Sequence, residues 1–440
     1  MAKNLFGEAG AEGDGTARRA ATKPEGKPRF VEADRKQIQL RPIDLEDLIA
    51  ADHPARAIWM LLEELDLNGF YESILARGSH PGRPAVDPKI LLALWLFATS
   101  EGVGSARELE RLCSEHKAYQ WLRGGVSVNY HTLSDFRAER KEDLDRLLTQ
   151  ILAVLMEKKL IELQRISQDG LRVRASAGAS SFRRRKRLKD FLNEAKKQVE
   201  WASEHAEDAA LSARQKAAQQ RAARERLERV DGALKSLEQL EQQRSKPGGG
   251  RKATGEPRAS TTDPQARTMR MANGGFRPAY NVQLATTVAG GVIVGVAVSN
   301  SGSDQGKAEE MLEQVVQRTG QRPTELLIDG GYTGKQSLAT LAEKGVTVYG
   351  PASARWGNGP LEPQPNDTKE VSELRSRMQT DSAKEIYKQR AATSERVNAD
   401  VRVQRTLNRF SVRGPDKVLT VALLNAVTFN LLRWMALTST

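Results

Sequence analysis

The chain has 440 residues, enough to bury a large core and to form two or three domains. Its formal net charge of +12, from 68 Lys and Arg against 56 Asp and Glu, exceeds what solubility asks for and favours a polyanionic partner, either nucleic acid or an acidic membrane surface. One cysteine, Cys113, and five histidines exclude a disulfide framework and a usual zinc finger, and fit a reducing cytoplasm.

Residues 1–40 mix Gly, Ala, Lys, Arg and Glu with few large apolar side chains, the composition of a disordered basic arm. From residue 41 to about 160 the pattern predicts an all-α domain. Ala57, Met60, Leu61, Leu65 and Leu67 mark an amphipathic helix leading toward Phe70. After Gly82 to Pro84 comes a predicted helix over 87–100, a Gly-containing turn at 101–104, and a second helix opened by Ser105. Ser105 and Glu108 have capping-box spacing. Helix, short turn and capped helix outline a helix-turn-helix, with Arg107 as a candidate DNA contact, and equally outline an αα-hairpin with no DNA role. A long helix follows the stretch Tyr130 to Arg137, with Leu144, Leu147, Leu148, Ile151, Leu152 and Leu155 on one face. The N-terminus lacks the apolar core of a signal peptide. Val418 to Leu437 is apolar but interrupted by Asn425, Asn430 and Arg433, which predicts a packed helix and no membrane partner.

Two stretches share one grammar, an apolar run that ends on a carboxylate and glycine. Leu163 to Gly170 predicts a strand that stops at Asp169. Leu326 to Ile328 predicts a strand that leaves Asp329 at its carboxyl end, with Gly330, Gly331 and Gly334 making a tight turn. Taken alone, Asp329 reads more readily as a helix-capping residue at an ordinary strand-to-helix turn, and what changes the balance is the matching stretch at Asp169. Beyond Asp169 lie Arg172 and Arg174 and then the run Arg183, Arg184, Arg185, Lys186 and Arg187, a solvated charge run by default and a phosphate contact by function. Residues 188–262 are a predicted helical insertion. Leu227, Val230, Leu234 and Leu237 follow heptad spacing, an antiparallel helical pair accounts for its length, and a flexible return starts at Lys246. Tyr280 to Leu284 and Val292 to Val298 read as a hairpin turned at Gly290 and Gly291. Predicted helices over 305–319 and 335–344 flank the Asp329 strand, and a last strand covers 346–349. A polar loop over 352–369 leads to a long helix over 381–410 that carries Tyr387, Arg390, Glu395 and Arg402, the last two on one face with Asn398 between them. Counting the Asp169 strand first, the order strand, strand, strand, helix, strand, helix, strand is that of an α/β, RNase H-like mixed sheet with flanking helices. The catalytic domain would comprise 161–187 and 263–440.

These motifs jointly resemble those of the DDE transposases of bacterial insertion sequences, in particular the group numbered eleven eighty-two. The resemblance runs from about Arg41 onward. It rests on Gly82 to Pro84, Ser105 to Glu110, Thr132 to Arg137, Asp169 and Gly170, Thr262 to Arg267, Gly275, Tyr280 to Gln283, Asp329 to Tyr332, and Ser394 to Asn398. The family's third-carboxylate signature, Tyr, Arg, Glu, Lys, is filled by Tyr387, Arg390 and Glu395, with Arg402 where lysine is usual. Four residues separate Arg390 from Glu395 where the family has three. The resemblance implies that Asp169, Asp329 and Glu395 are catalytic and hold two Mg²⁺ or Mn²⁺ ions, and that Tyr387, Arg390 and Arg402 contact DNA. It also implies a homodimer on the terminal inverted repeats and target DNA, in the bacterial cytoplasm at the nucleoid. Water would free a 3′-hydroxyl that then attacks target DNA. Hard carboxylate oxygens suit such ions and such chemistry. A structure-selective nuclease and a catalytically silent DNA-binding protein are the alternatives. The presence of all three carboxylates argues against the second.

Overall fold

The computed structural model describes residues 42, 44–76, 84–205, 212–245, 255–352 and 362–438. The predicted arm, Gly82 and the residue after it, the start of the return at Lys246, and 353–361 of the polar loop lie outside the described residues. From Asp44 onward the chain is one compact unit.

Seven helices come first: α1 (Pro54–Glu63), α2 (Asn68–Glu72), α3 (Pro88–Ser100), α4 (Ala106–Glu115), α5 (Lys117–Arg123), α6 (Tyr130–Glu139) and α7 (Lys141–Glu157). Their starts are written in the sequence. The Asp87 carboxylate accepts the Lys89 N–H ahead of Pro88, and Ser105 Oγ accepts the Glu108 N–H. Only half of the capping box forms, because the Glu108 side chain pairs with Arg111. The predicted apolar face of α7 is buried throughout. Helix α3 differs from a one-faced surface helix, since Leu91 through Thr99 are all buried. It is the axis of the helical region.

The sheet is curled and mixed. The strands are, in chain order, β1 (Arg165–Arg174), β2 (Phe182–Arg183), β3 (Ala259–Ser260), β4 (Arg267–Arg270), β5 (Phe276–Thr287), β6 (Ile293–Ser299), β7 (Glu325–Leu327) and β8 (Thr347–Tyr349), of which β2 and β3 form a separate antiparallel pair. β1 pairs antiparallel with β5 on one edge and parallel with β7 on the other, and β7 pairs parallel with β8. The far edge of β5 takes β4 and β6 in succession. Gly290 and Gly291 make the β5–β6 turn with φ of +85° and +62°, conformations that glycine adopts without strain. β1 does not stop at Asp169 as predicted. Gly170 is extended and pairs with Gln283, and the ladder continues to Arg174 opposite Ala279 because β5 is long enough to receive it.

Between β2 and β3 stand α8 (Arg185–Glu204) and α9 (Ala213–Ser245). The contacts Arg185 to Glu241, Glu194 to Arg226 and Ala202 to Gln220 run in opposite directions along the two helices, so they are antiparallel. Their small core is Leu188, Ala233, Leu234 and Leu237 against Ala259. Helices α10 (Lys307–Thr319) and α11 (Lys335–Glu343) flank β7, and α12 (Lys369–Gln379) fills the stretch between the predicted polar loop and the predicted helix over 381–410, to which the sequence assigns no element. The predicted helix over 381–410 is broken. It consists of α13 (Asp381–Arg390), a π-turn over Ala391–Glu395, and α14 (Arg396–Val403). α15 (Pro415–Thr438) is long and apolar enough to cross a membrane by length and composition, yet it packs on α3, α6, α7 and β6 with Leu423, Leu424, Val427 and Trp434 buried. Asn430, one of the residues interrupting its apolar run, accepts from Ile293 N at 2.9 Å and donates to Ile293 O at 2.7 Å, closing the start of β6.

Asp263 anchors the return to the sheet. It is fully buried, accepts from the Tyr280 hydroxyl at 2.8 Å, and burial raises its carboxyl above the usual range. A raised folded-state value means stability present at acid pH and lost as pH rises through that value. Tyr280→Phe removes a donor to the ionised form, so it is expected to cost about 2 kcal/mol at neutral pH and less near about pH 4. Urea midpoints at the two pH values check this, and an equal cost at both would contradict it.

Candidate active site

Asp169 lies inside β1 and Asp329 comes two residues after the end of β7, the strand that runs parallel beside β1, so the two carboxylates are brought to neighbouring segments of the sheet. Asp169 is largely buried. Its Oδ1 accepts the Gly170 N–H at 2.9 Å and stands 3.3 Å from the Arg390 guanidinium, and its Oδ2 accepts from Asn398 Nδ2 at 3.0 Å. Burial raises the Asp169 carboxyl, Arg390 opposes the rise, and the nearby charges of Asp329 and Asp304 add to it. Asp329 Oδ1 accepts the Gly331 N–H at 2.8 Å.

Glu395 ends the π-turn with its side chain 59% exposed, and Arg390 Nη1 reaches its Oε1 at 3.3 Å. The turn is seated on β1 by a 2.5 Å hydrogen bond between Ser394 and Ser167 hydroxyls. Here the departure in spacing has a physical meaning. A π-turn takes one residue more than an α-turn, so the extra residue between Arg390 and Glu395 is absorbed locally and the two side chains still meet. Arg390 therefore spans Asp169 and Glu395.

The predicted tight turn after Asp329 is present, closed by the Tyr332 N–H donating to the Asp329 carbonyl at 3.2 Å, but it does not use a left-handed backbone at its glycines. Gly330, Gly331 and Gly334 have no left-handed φ. A Cβ on Gly170 would stand 2.7 Å from Asp304 Oδ1, one on Gly331 3.6 Å from the Asp304 carboxylate, and one on Gly334 3.1 Å from Gln305 Nε2. They admit the loop between β6 and α10. Asp304 was missed in the sequence because nothing marks a lone Asp after a strand. Asn281 and Gln283, which hold it, appeared there only as motif letters.

Tyr387 is half-buried on α13, and burial pushes its phenol up. Arg402 is half-buried in the last turn of α14. Arg172 donates to the carbonyls of Arg270 and Gly302 at 2.8 and 2.9 Å, while Arg174 is exposed at the end of β1. The basic run is not gathered at the carboxylates. It roots the helical pair, where Arg184 meets Glu256, Arg185 meets Glu238 and Glu241, and Arg187 meets Asp190. Arg183 bonds the Phe182 carbonyl and Lys186 is exposed. Arg107, on α4, lies over the Tyr130 ring at 4.8 Å.

Among the described residues, no three Asp, Glu, His or Cys side chains converge on one point. The donors around Asp169 nonetheless suit a hard divalent cation. They are carboxylate oxygens, and Asn398 Oδ1 beside them is buried with no partner. The Arg390 guanidinium supplies positive charge between two of the three acids.

A family model described as a transposase domain matches residues 43–139, and one described as a transposase DDE domain matches residues 359–435. No curated protein and no solved structure matches the chain. The two matches indicate a transposase with DNA as its substrate, and the DDE match indicates a DNA-cleaving and DNA-transferring enzyme of a class that generally uses divalent metal ions.

Proposed function

We propose that this chain is an insertion-sequence transposase of the group numbered eleven eighty-two. It binds the terminal inverted repeats of its element as a homodimer on nucleoid DNA in the bacterial cytoplasm, and it cuts and joins DNA at Asp169, Asp329 and Glu395 with two divalent ions. The observation that carries this reading is the meeting of elements remote in sequence. Asp169 on β1 and Asp329 just past the end of the parallel neighbour β7 come from remote parts of the chain, and Arg390 ties Asp169 to Glu395. The strand order β6-β5-β1-β7-β8, with antiparallel pairs on one side of β1 and parallel pairs on the other, supports an RNase H-like catalytic domain over 161–187 and 263–440. The helices before residue 160 are then the end-binding region.

Asp169, Asp329 and Glu395 would hold the divalent ions, which would supply charge stabilisation for the attacking and leaving oxygens of an in-line phosphoryl displacement. The chain's own contribution is orientation. Asn398 fixes one oxygen of Asp169 and the Gly170 and Gly331 N–H groups fix an oxygen on each aspartate, so both carboxylates are held before DNA arrives. Arg390, between Asp169 and Glu395, and the half-buried Tyr387 would each offer a donor to a phosphate oxygen of bound DNA. The test is incubation of the purified chain with labelled end DNA and Mg²⁺. A nick at one defined position is expected, and its absence on every end sequence of the element would overturn the reading.

Electrostatics add a prediction about binding. Arg174 and Lys186 are exposed and, among the described residues, make no ion pair, whereas Arg185 is committed to Glu238 and Glu241. Arg174→Ala and Lys186→Ala are each expected to reduce the slope of log affinity against log salt by about 0.9, the value for one phosphate. Arg185→Ala should leave the slope unchanged. Filter binding across a salt series reads the difference.

A further inference from the structure

The stretch between Asp263 and Asp304 contains no Asp or Glu, and its only charged residues are Arg267, Arg270 and Arg277. It begins with the hairpin of β4 and β5, in which Arg270 pairs with Phe276. The turn is closed by the Gly274 N–H on the Met271 carbonyl at 3.1 Å and the Met271 N–H on the Gly275 carbonyl at 3.0 Å. A Cβ on Gly274 or Gly275 would meet nothing within 4 Å, so the tip stands in open space. Its base is held firmly, because Met269 is buried and Arg172 donates to the Arg270 carbonyl at 2.8 Å. A fixed ribbon thus carries Phe276 with 68% of its surface exposed.

Phe276 lines a cleft of about 820 Å³ between this hairpin and the end of α9. Phe182 and Pro278 are its buried apolar walls, and Gln239, Gln243 and Arg244 enter from successive turns of α9. Glu256 is the one acid of the lining and stands 3.3 Å from Arg184. Arg258, exposed on the same wall, makes no ion pair among the described residues, and Arg244 spends one donor on the Gly255 carbonyl at 2.8 Å. An accessible aromatic ring, guanidinium donors to spare and side-chain amides in one cleft are the complement of a nucleotide. The ring offers a stacking face, the arginines take phosphate, and the amides suit a base edge. Inside an intact duplex each base is already stacked on both sides, so a ring within a cleft is met by an unpaired base. The cleft is separate from the carboxylates. Phe276 lies eight residues along β5 from Leu284, the partner of Asp169, or about 27 Å at 3.4 Å per residue.

We propose that the cleft between the β4–β5 hairpin and the end of α9 binds single-stranded DNA, with one base stacked on Phe276 and its phosphates met by Arg244 and Arg258. This rests on the transposase reading above, in which a nick at an element end leaves a strand free to fray from its partner. The helical pair then has a function at its root, where it closes one side of a strand-binding cleft.

The test is fluorescence anisotropy of a labelled oligothymidylate and of a blunt duplex of the same length, each titrated with the full chain in EDTA so that nothing is cut. Wild type, Phe276→Ala, Phe276→Leu, Phe276→Tyr and Arg258→Ala are compared with Trp201→Ala, which removes an exposed aromatic of α8 outside the cleft. Phe276→Ala and Phe276→Leu are expected to weaken single-strand affinity about tenfold or more and to leave duplex affinity unchanged, while Phe276→Tyr and Trp201→Ala bind as wild type. Arg258→Ala should lower the slope of log affinity against log salt by about 0.7 on the single strand, the value for one phosphate. Because Phe276 is mostly exposed, its variants should keep the wild-type melting midpoint. Equal losses on strand and duplex would make Phe276 a wedge between base pairs, and unchanged single-strand affinity in Phe276→Ala would leave it an ordinary surface residue. Either result overturns the proposal, and if wild type still nicks end DNA the transposase reading survives it. A chain whose single-strand affinity depends on Phe276 but which nicks no end sequence keeps the cleft and loses that reading.

Discussion

Asp169→Asn and Asp329→Asn each remove Mg²⁺-dependent nicking of end DNA, with a loss of about 10³-fold or more, and leave DNA affinity unchanged. The expectation follows from position. Each side chain is isosteric with its replacement, each carboxylate is oriented by a backbone N–H that an Asn oxygen can also accept, and neither residue is needed to fill the core. Glu395→Gln should lose nicking and strand transfer alike. Asp400→Asn is the informative contrast on the same segment. Its Oδ1 lies 2.6 Å from Arg405, a buried arginine, so the substitution is expected to cost about 3 kcal/mol of stability and to spare the chemistry. Nicking by either aspartate variant at the wild-type rate, or inactivity of a folded Asp400→Asn with Glu395→Gln active, would show that these acids are wrongly assigned.

Removing residues 1–140 abolishes cooperative folding of what remains. Helices α3 and α6 form one face of the cover over α15, and Trp95, Leu133 and Phe136 belong to the same continuous core as Val294, Leu423 and Leu431. Arg137 is buried, lies over the Trp95 ring at 4.5 Å, and donates to the Gly104 carbonyl and to Ser411 Oγ, tying α6 to the loop before α15. The truncated chain would expose the flank of α15 and that of the sheet behind it. Loss of near-ultraviolet circular dichroism with binding of a hydrophobic dye is the expected signature. A soluble fragment with a sharp melting transition would instead make the helical region an independent unit. End recognition is accordingly better dissected by point substitution than by deletion.

Local signals were legible where a side chain acts on its own neighbours. Ser105 caps a helix, Gly290 and Gly291 turn a hairpin, and six leucines and isoleucines of α7 keep one period, because each depends on contacts within a few residues. The two aspartates were legible as strand-associated carboxylates for the same reason. What escaped depends on partners far away in the chain. Gly170 looked like a strand end, yet its reason is Asp304, and the seven residues from Glu395 to Arg402 gave no hint that the preceding turn is a π-turn. α12 escaped because its exposed polar residues outnumber the buried Val371, Leu374 and Arg375. Asp304 itself could be read only from the three-dimensional meeting of Asn281, Gln283 and Gly331.

The helical pair also bears on how quickly the sheet can assemble. Arg174 pairs with Ala279, so β1 and β5 cannot zip together until a segment of about 100 residues has been looped out, a search whose entropy grows with the logarithm of its length. α8 and α9 are neighbours in sequence with their own small core and with β2 and β3 clasped at their base, and such a local unit forms early. Once it has formed, the tether left between β1 and β5 behaves as one of about 30 residues, which lowers the closure cost by about 1 kcal/mol. Loosening the pair at Leu237 would then slow the refolding limb of a chevron for the whole chain, although Leu237 belongs to the small core of the pair and not to the core that holds the central ladder.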